Sequence, residues 1–141
     1  MFSHKTYLKL DDFSGTDFLS LTKSGYEVSK FEFSFQQGVD DTGKASSEVF
    51  GGTLLLTLPM LPPKVIIEWA LDSRKYKKGV VVILDDHDIP QEKVMFDGAA
   101  CVDMNIDYTQ KGESYIATSI VLQAEQLLFG NGLDFDNLWT K

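Results

Sequence analysis

One stretch of the sequence has the spacing of a phosphate-binding loop, and it reads Gly38-Val39-Asp40-Asp41-Thr42-Gly43-Lys44-Ala45. In such a loop, backbone N–H groups surround the phosphates, a lysine contacts them and a final Ser or Thr hydroxyl binds Mg²⁺. Here the final residue is Ala45, which has no hydroxyl, and the carboxylates of Asp40 and Asp41 would repel a polyanion. No helical pattern follows to supply a helix N-terminus. The sequence therefore predicts a polar loop and no nucleotide site.

A second group of potential ligands is the run Asp85-Asp86-His87-Asp88. Carboxylates and imidazole bind metal ions, but four consecutive side chains of a turn are expected to point in diverging directions. Zinc sites also draw their ligands from separated groups, and the sequence holds no second group at such a spacing. Because Asp is favoured in turns, we interpret the run as a solvated turn. We predict neither a metal nor a cofactor.

Few residues could perform nucleophilic catalysis. Cys101 is the single cysteine, and His4 and His87 are the two histidines. Cys101 lies in an alternating strand pattern, where a cysteine is usually a small core residue. No motif brings a histidine to a cysteine or serine. The sequence predicts no catalytic residues, so we expect a protein that is not an enzyme.

The elements that carry these residues mostly follow a period of two, which is typical of strands with one buried face. Leu54, Leu56 and Leu58 alternate in this way, and Gly51-Gly52 in the same run predicts a bend. Apolar residues also alternate between Ala100 and Tyr108, which predicts that they face the core. The predicted strands are Thr6–Leu10, Tyr26–Gln37, Glu48–Leu58, Val80–Leu84, Gln91–Phe96, Ala100–Tyr108 and Ile116–Ala124, and Asp97-Gly98 lies between the fifth and the sixth.

One segment has a helical period instead. Pro62-Pro63 predicts its start, because proline is tolerated in the first helical turn. Apolar residues then recur at helical spacing through Ile66 and Trp69, and basic residues near the end complement the helix dipole. We predict a helix over about residues 63–76, closed by Gly79. About seven strands and one helix predict a mainly β chain, an antiparallel barrel or sandwich.

Composition restricts what this chain could bind. The 141 residues carry a net charge of −8 at pH 7, so no excess of cations is available for nucleic acid or an anionic membrane. The sequence has no apolar run of about 18 residues and no signal-peptide pattern at its start. A single cysteine fits a reducing cytoplasm. We expect one domain, residues 1–141, with neither a nucleic acid nor a membrane as its partner.

Several short segments, taken in order, carry a family resemblance. They are Phe33–Gln37, Asp40–Ser47, Gly51-Gly52, Glu68-Trp69, Phe96–Val102, Gln123–Gln126 and Trp139. In this order and spacing they resemble the tube-forming subunit of bacterial type VI secretion, the haemolysin-coregulated protein (Hcp/TssD) family, and particularly its Bacteroidetes branch. The resemblance covers about residues 26–125. The segment Asp11–Gly25 and the C-terminal tail, residues 127–141, depart from the family pattern.

The resemblance implies a specific assembly. The fold would be an antiparallel β-barrel with one α-helix packed at its side. Six subunits would form a ring, and rings would stack into a hollow tube that can carry effectors. Its partners would be copies of itself, the sheath, spike and baseplate proteins and the effector cargo. It would assemble in the bacterial cytoplasm and be secreted on firing. The loop implied to make subunit contacts consists of Asp40, Asp41, Thr42, Gly43, Lys44 and Ala45.

Two other functions remain open at this point. A small β-barrel that binds a small ligand or carbohydrate as a monomer or dimer would share the same strand pattern. A phage-like tail tube protein would share the architecture in another biological setting. Ring formation distinguishes the first of these from the tube subunit.

Overall fold

The computed structural model describes residues 5–11, 18–35, 48–72 and 74–131. No helix within these ranges is long and apolar enough to cross a membrane. The elements, in chain order, are β1 Lys5–Leu10, α1 Phe18–Ser24, β2 Tyr26–Val28, β3 Lys30–Phe35, β4 Glu48–Leu58, α2 Lys64–Leu71, β5 Lys77–Leu84, β6 Pro90–Thr109 and β7 Tyr115–Asn131.

All seven strands belong to one antiparallel sheet with the order β2-β1-β5-β6-β7-β4-β3. The outermost strands, β2 and β3, are consecutive in the chain and are separated by Ser29 alone. β2 pairs with β1, whereas β3 pairs with β4. At the change of partner, the N–H and the hydroxyl of Ser29 donate to the carbonyl oxygen of Thr57 at 2.7 and 3.1 Å. The sheet therefore curls until its two ends meet, which confirms the predicted antiparallel barrel.

A buried apolar cluster from six strands and α2 fills the interior of the barrel, and Phe31 of β3 packs against it. Leu54, Leu56 and Leu58 are fully buried in it, as their period of two predicted. Thr53 and Thr57 alternate with them on the outer face of β4. A small antiparallel barrel closed in this way is packed by side chains rather than hollow.

Helix α2 packs against this cluster through Ile66 and Trp69, both fully buried. The helix ends at Leu71 and not near residue 76 as predicted, because Asp72 is extended, with φ −123° and ψ 101°. The chain then turns into β5, which already includes Gly79, the residue expected to close the helix. Pairing of Lys77 with Ala99 overrides the helical preference of the basic residues.

Helix α1 was not predicted. Its Leu21 is fully buried in a second cluster on the outer face of the sheet, together with Val80, Val82 and Met95. The helix closes at Gly25, whose N–H donates to the carbonyl oxygen of Leu21 at 2.8 Å. A Cβ at Gly25 would lie 2.7 Å from that oxygen, so glycine is required at this close approach.

The prediction of separate strands on either side of Asp97-Gly98 is wrong. β6 is continuous over 20 residues, and it bends at Gly98, where φ is +60°. Opposite the bend, Glu125 of β7 occupies the place of the missing side chain, and its Oε2 atom would collide with a Cβ at Gly98. β7 itself continues to Asn131, so the predicted tail begins inside a strand, and residues 132–141 lie outside the described residues.

The predicted core face of β6 is also wrong at Cys101, Val102 and Ile106. The pairing with β7 shifts by one residue between Cys101 and Asp103. Cys101 pairs with Leu122 and is buried, whereas Val102 at the shift is 54% exposed. Beyond the shift Met104 is half-buried, and Ile106, past the last residue that pairs with β5, is 48% exposed. A bulge of this kind changes which face each following side chain occupies.

Candidate functional site

The predicted subunit-contact loop, Asp40–Ala45, lies outside the described residues, but its flanking strands show where it leaves the barrel. β3 and β4 pair as far as Phe35 with Gly52. β4 also extends back to Glu48, which pairs with Leu128 near the end of β7. The loop therefore joins the barrel at the end where β7 finishes.

The opposite end of the barrel carries a hairpin arm. β5 pairs with β6 up to Ala99, and β4 pairs with β7 up to Thr118. β6 and β7 continue together to the pair Thr109 and Tyr115. We call residues 102–118 the β6–β7 arm. In the described part of the chain, the β6 edge of this arm pairs with no strand except β7. The two ends of the barrel thus present different structures.

Exposed apolar side chains gather between this arm and α2. Ile67 and Leu71 of α2 are 38% and 82% exposed, and Val102 and Ile106 of β6 are 54% and 48% exposed. With neighbouring residues of the same two elements they line an open groove of about 450 Å³. We call these four residues the α2–β6 surface. An apolar patch that is shared by two elements and open to solvent is typical of a protein contact site.

Sequence reasoning missed this surface, although α2 contains a signal for it. Ile67 and Leu71 are four residues apart and lie on one helix face, but outside the buried pair of Ile66 and Trp69. A helix with apolar residues on two faces needs a second contact beyond the core. Val102 is exposed at the bulge and Ile106 on the arm beyond β5, and the alternating sequence pattern marks neither position.

The outer face of β4 and β7 carries polar pairs on both sides of the apolar pair Leu55 and Val121. The hydroxyls of Thr57 and Ser119 lie 3.2 Å apart, and the Nε2 atom of Gln123 donates to the hydroxyl of Thr53 at 3.1 Å. In each pair, the polar side chains on the two neighbouring strands hydrogen-bond to each other. This sheet face therefore mixes polar and apolar pairs and differs from the apolar α2–β6 surface.

The acidic turn between β5 and β6 differs from its prediction in one respect. Ligand atoms of Asp85, Asp86 and His87 all lie within 4.8 Å of one another, so these side chains converge. The cause is the Asp85 carboxylate, which accepts hydrogen bonds from the N–H groups of His87 and Ile89 at 2.8 and 3.0 Å. Asp88 pairs with Lys5 at 3.0 Å and raises the pKa of that lysine. The carboxylate of Asp85 is thus used to shape the turn.

Cys101 is 2% exposed, and its Sγ atom lies 3.5 Å from the carbonyl oxygen of Asp103. Burial raises the pKa of its thiol, which keeps the sulfur protonated near neutral pH. A nucleophilic cysteine needs a lowered pKa and an accessible sulfur. The environment of Cys101 is that of a core residue.

Comparisons with known proteins identify one family from the sequence and one fold from the solved structures. The sequence matches the family described as "Hemolysin coregulated protein Hcp (TssD)" over residues 2–140. Hcp1 from Flavobacterium johnsoniae has a TM-score of 0.65 at 18% identity, covering 91% of this chain and 96% of that one. Hcp1 from Salmonella typhimurium has a TM-score of 0.64 at 15% identity, covering 96% and 97%.

A third similar structure comes from a contractile injection system. It is the sheath–tube complex of an extracellular contractile injection system, PVC, in its extended state. The TM-score is 0.59 at 9% identity, and the match covers 90% of this chain and 88% of that one. No curated protein matches the sequence at a significant level. At these identities, likeness to solved structures describes the fold.

Proposed function

Because this chain belongs to the Hemolysin coregulated protein Hcp (TssD) family, we propose that it is the structural subunit of a type VI secretion inner tube. Six copies form a ring, and rings stack into a hollow tube that can carry effectors. The match over residues 2–140 is the observation that carries this proposal. The barrel supports it, because a self-assembling tube needs a rigid subunit and no catalytic group.

The two unlike ends of the barrel suit stacking. A ring closes through a heterologous contact, in which one surface of each subunit meets a different surface of the next. Stacked rings need a second contact of the same kind along the tube axis. The loop Asp40–Ala45 joins the barrel at one end and the β6–β7 arm projects from the other. We assign the loop to contacts between subunits on this basis.

The remaining partners follow from the same function. A sheath surrounds the tube, a spike caps it, a baseplate anchors it, and effectors travel with it. The subunit assembles in the bacterial cytoplasm and leaves the cell when the sheath contracts. Residues 1–141 act as a single tube-subunit domain, to which neither a cofactor nor a metal contributes.

Size-exclusion chromatography with light scattering and negative-stain electron microscopy tests this function. The expected result is rings with six subunits at high protein concentration. A strictly monomeric protein at every concentration contradicts the tube function. Rings with another subunit number would keep the tube and correct the hexamer.

A tube subunit of a phage-like injection system is the second candidate, favoured by the likeness to the sheath–tube complex. Secretion separates the two. In the type VI case the protein appears in the culture medium of intact cells and disappears from it when the sheath gene is deleted. A small-ligand barrel is disfavoured because buried side chains fill the barrel interior in the described residues.

A further inference from the structure

The α2–β6 surface is exposed in the subunit, and the functions proposed above assign no partner to it. Of the eleven exposed large apolar side chains among the described residues, four belong to it, and Tyr108 and Tyr115 lie farther along the same arm. The adjoining strand edge, from Ala100 to Thr109, pairs only with β7 within those residues. An exposed apolar strand edge invites association, so it is normally covered or used.

The groove also carries negative charge. Asp103 lines it beside Val102 and Ile106, and it is exposed. Asp107 follows four residues later and is exposed too. A surface that combines apolar side chains with carboxylates fits a partner that presents an apolar side chain next to a cation.

Helix α1 presents that combination on another side of the same molecule. Leu19 is 72% exposed. Lys23 is also exposed, and it lies four residues later on the same helix face. The buried side of α1, through Leu21, packs on the outer face of β5. The exposed side of α1 and the α2–β6 surface therefore lie at different positions around the barrel, as a head-to-tail contact requires.

We propose that the α2–β6 surface binds helix α1 of a second copy of this chain, with Leu19 of the partner subunit in the groove and the partner's Lys23 beside Asp103. This inference rests on the proposed ring, and it names the surfaces that close it. A head-to-tail contact of this kind, repeated around an axis, leaves no subunit with an unoccupied groove. It also covers the apolar edge of β6.

Cysteine cross-linking tests the contact directly. In a Cys101→Ala background, Leu19→Cys and Ile106→Cys are placed in one chain, and the assembled protein is oxidised. A non-reducing gel should show a ladder of cross-linked species up to the full ring. When the two cysteines are on separate chains that are mixed, dimers should dominate. The matched control replaces Ile106→Cys by Ile89→Cys, at the 57% exposed turn between β5 and β6, and should stay monomeric on the gel.

A charge exchange tests the polar part of the contact. Asp103→Lys should raise the protein concentration needed for half-assembly about tenfold, and adding Lys23→Asp to the same chain should restore it. Glu92→Lys, an exposed reversal near the other end of β6, should change assembly little. Rings that form in the cysteine variants without a ladder above the control overturn this contact and leave the tube function intact. A native protein that forms no rings overturns both.

Discussion

At the scale of single residues, Trp69 connects three parts of the fold. Its indole N–H donates to the carbonyl oxygens of Lys75 and Ala99 at 3.0 and 3.1 Å. Its ring stacks on Phe96 with a centroid distance of 6.4 Å. The side chain thus fixes α2, the segment after it and β6 together. The sequence predicted its burial from the helical stripe, but not its hydrogen bonds.

Truncating this side chain should therefore be costly. Trp69→Ala should lower the free energy of unfolding by about 3–5 kcal/mol, the usual loss for a buried aromatic residue. Trp69→Phe retains most of the burial and loses the donor, so it should cost about 1–3 kcal/mol. Urea denaturation of the unassembled subunit measures both values. Tyr76→Ala, at a 65% exposed position, is the control and should change the value by less than about 0.5 kcal/mol. A loss below about 1 kcal/mol for Trp69→Ala would contradict the packing of α2.

Two glycines with positive φ allow the cost of backbone strain to be measured apart from the cost of a steric clash. Gly98 has φ +60° and faces Glu125, whereas Gly112 has φ +74° and no neighbouring atom within 4 Å of the place a Cβ would take. Gly112→Ala should cost about 1 kcal/mol, which is the backbone strain alone. Gly98→Ala should cost clearly more, because the Cβ also meets the Glu125 Cβ at 2.9 Å. Equal losses in thermal or urea unfolding would show that the bend in β6 can adjust.

The pH dependence of stability reports on Cys101. Its pKa in the folded protein is raised from the ordinary value of 9.0 by burial. A group whose pKa is raised on folding stabilises the protein fully below its unfolded pKa, and this contribution is lost as the pH rises above it. Stability should therefore fall above about pH 9 more steeply in the native protein than in Cys101→Ala. Identical pH profiles of the two proteins from about pH 7 to 10 would contradict the burial of the thiol.

At the scale of elements, regularly paired strands were predicted more accurately from the sequence than strands with a bend or a bulge. β4 has one partner on each side and no bulge within Gly52–Leu58, so its leucines alternate as predicted. β6 bends at Gly98 and shifts register after Cys101, and both features depend on β7 rather than on local sequence. Helix α1 has seven residues and one buried apolar anchor, which is too short to give a periodic signal.

The two leucines of α1 should respond differently to truncation. Leu21 is fully buried against β5, so Leu21→Ala should lower the free energy of unfolding by about 2–5 kcal/mol. Leu19 is exposed, so Leu19→Ala should leave unfolding of the isolated subunit nearly unchanged. Chemical denaturation at a concentration below ring assembly measures both. Similar losses for the two variants would mean that the helix is rotated from its described orientation.

At the scale of the whole molecule, the barrel is closed by one segment that changes partner at Ser29. β2 completes the pairing of β1, β3 completes that of β4, and the interior is packed throughout the described strands. Closure removes many strand edges, but within the described residues the β6 edge of the arm pairs only with β7. A rigid body with a few projecting segments is suited to repeated contacts, because the contacts can form without repacking the core. This separation predicts that assembly and folding can be altered independently.

The loop Asp40–Ala45 is the place to test that separation. Replacing these six residues with Asn-Gly shortens the connection between β3 and β4, whose pairing from Lys30 to Phe35 does not include the loop. Short loops of this kind close with little entropic cost, and Asn-Gly favours a tight turn. The far-ultraviolet circular dichroism and the melting temperature of the subunit should therefore stay nearly unchanged. Sedimentation and electron microscopy should show weakened ring formation or stacking.

The matched control is Asp86→Asn with His87→Asn, in the exposed turn between β5 and β6 near the same end of the barrel, and it should assemble normally. A shortened variant that fails to fold would place the loop in the core, and one that folds and forms normal tubes would remove it from the subunit contacts.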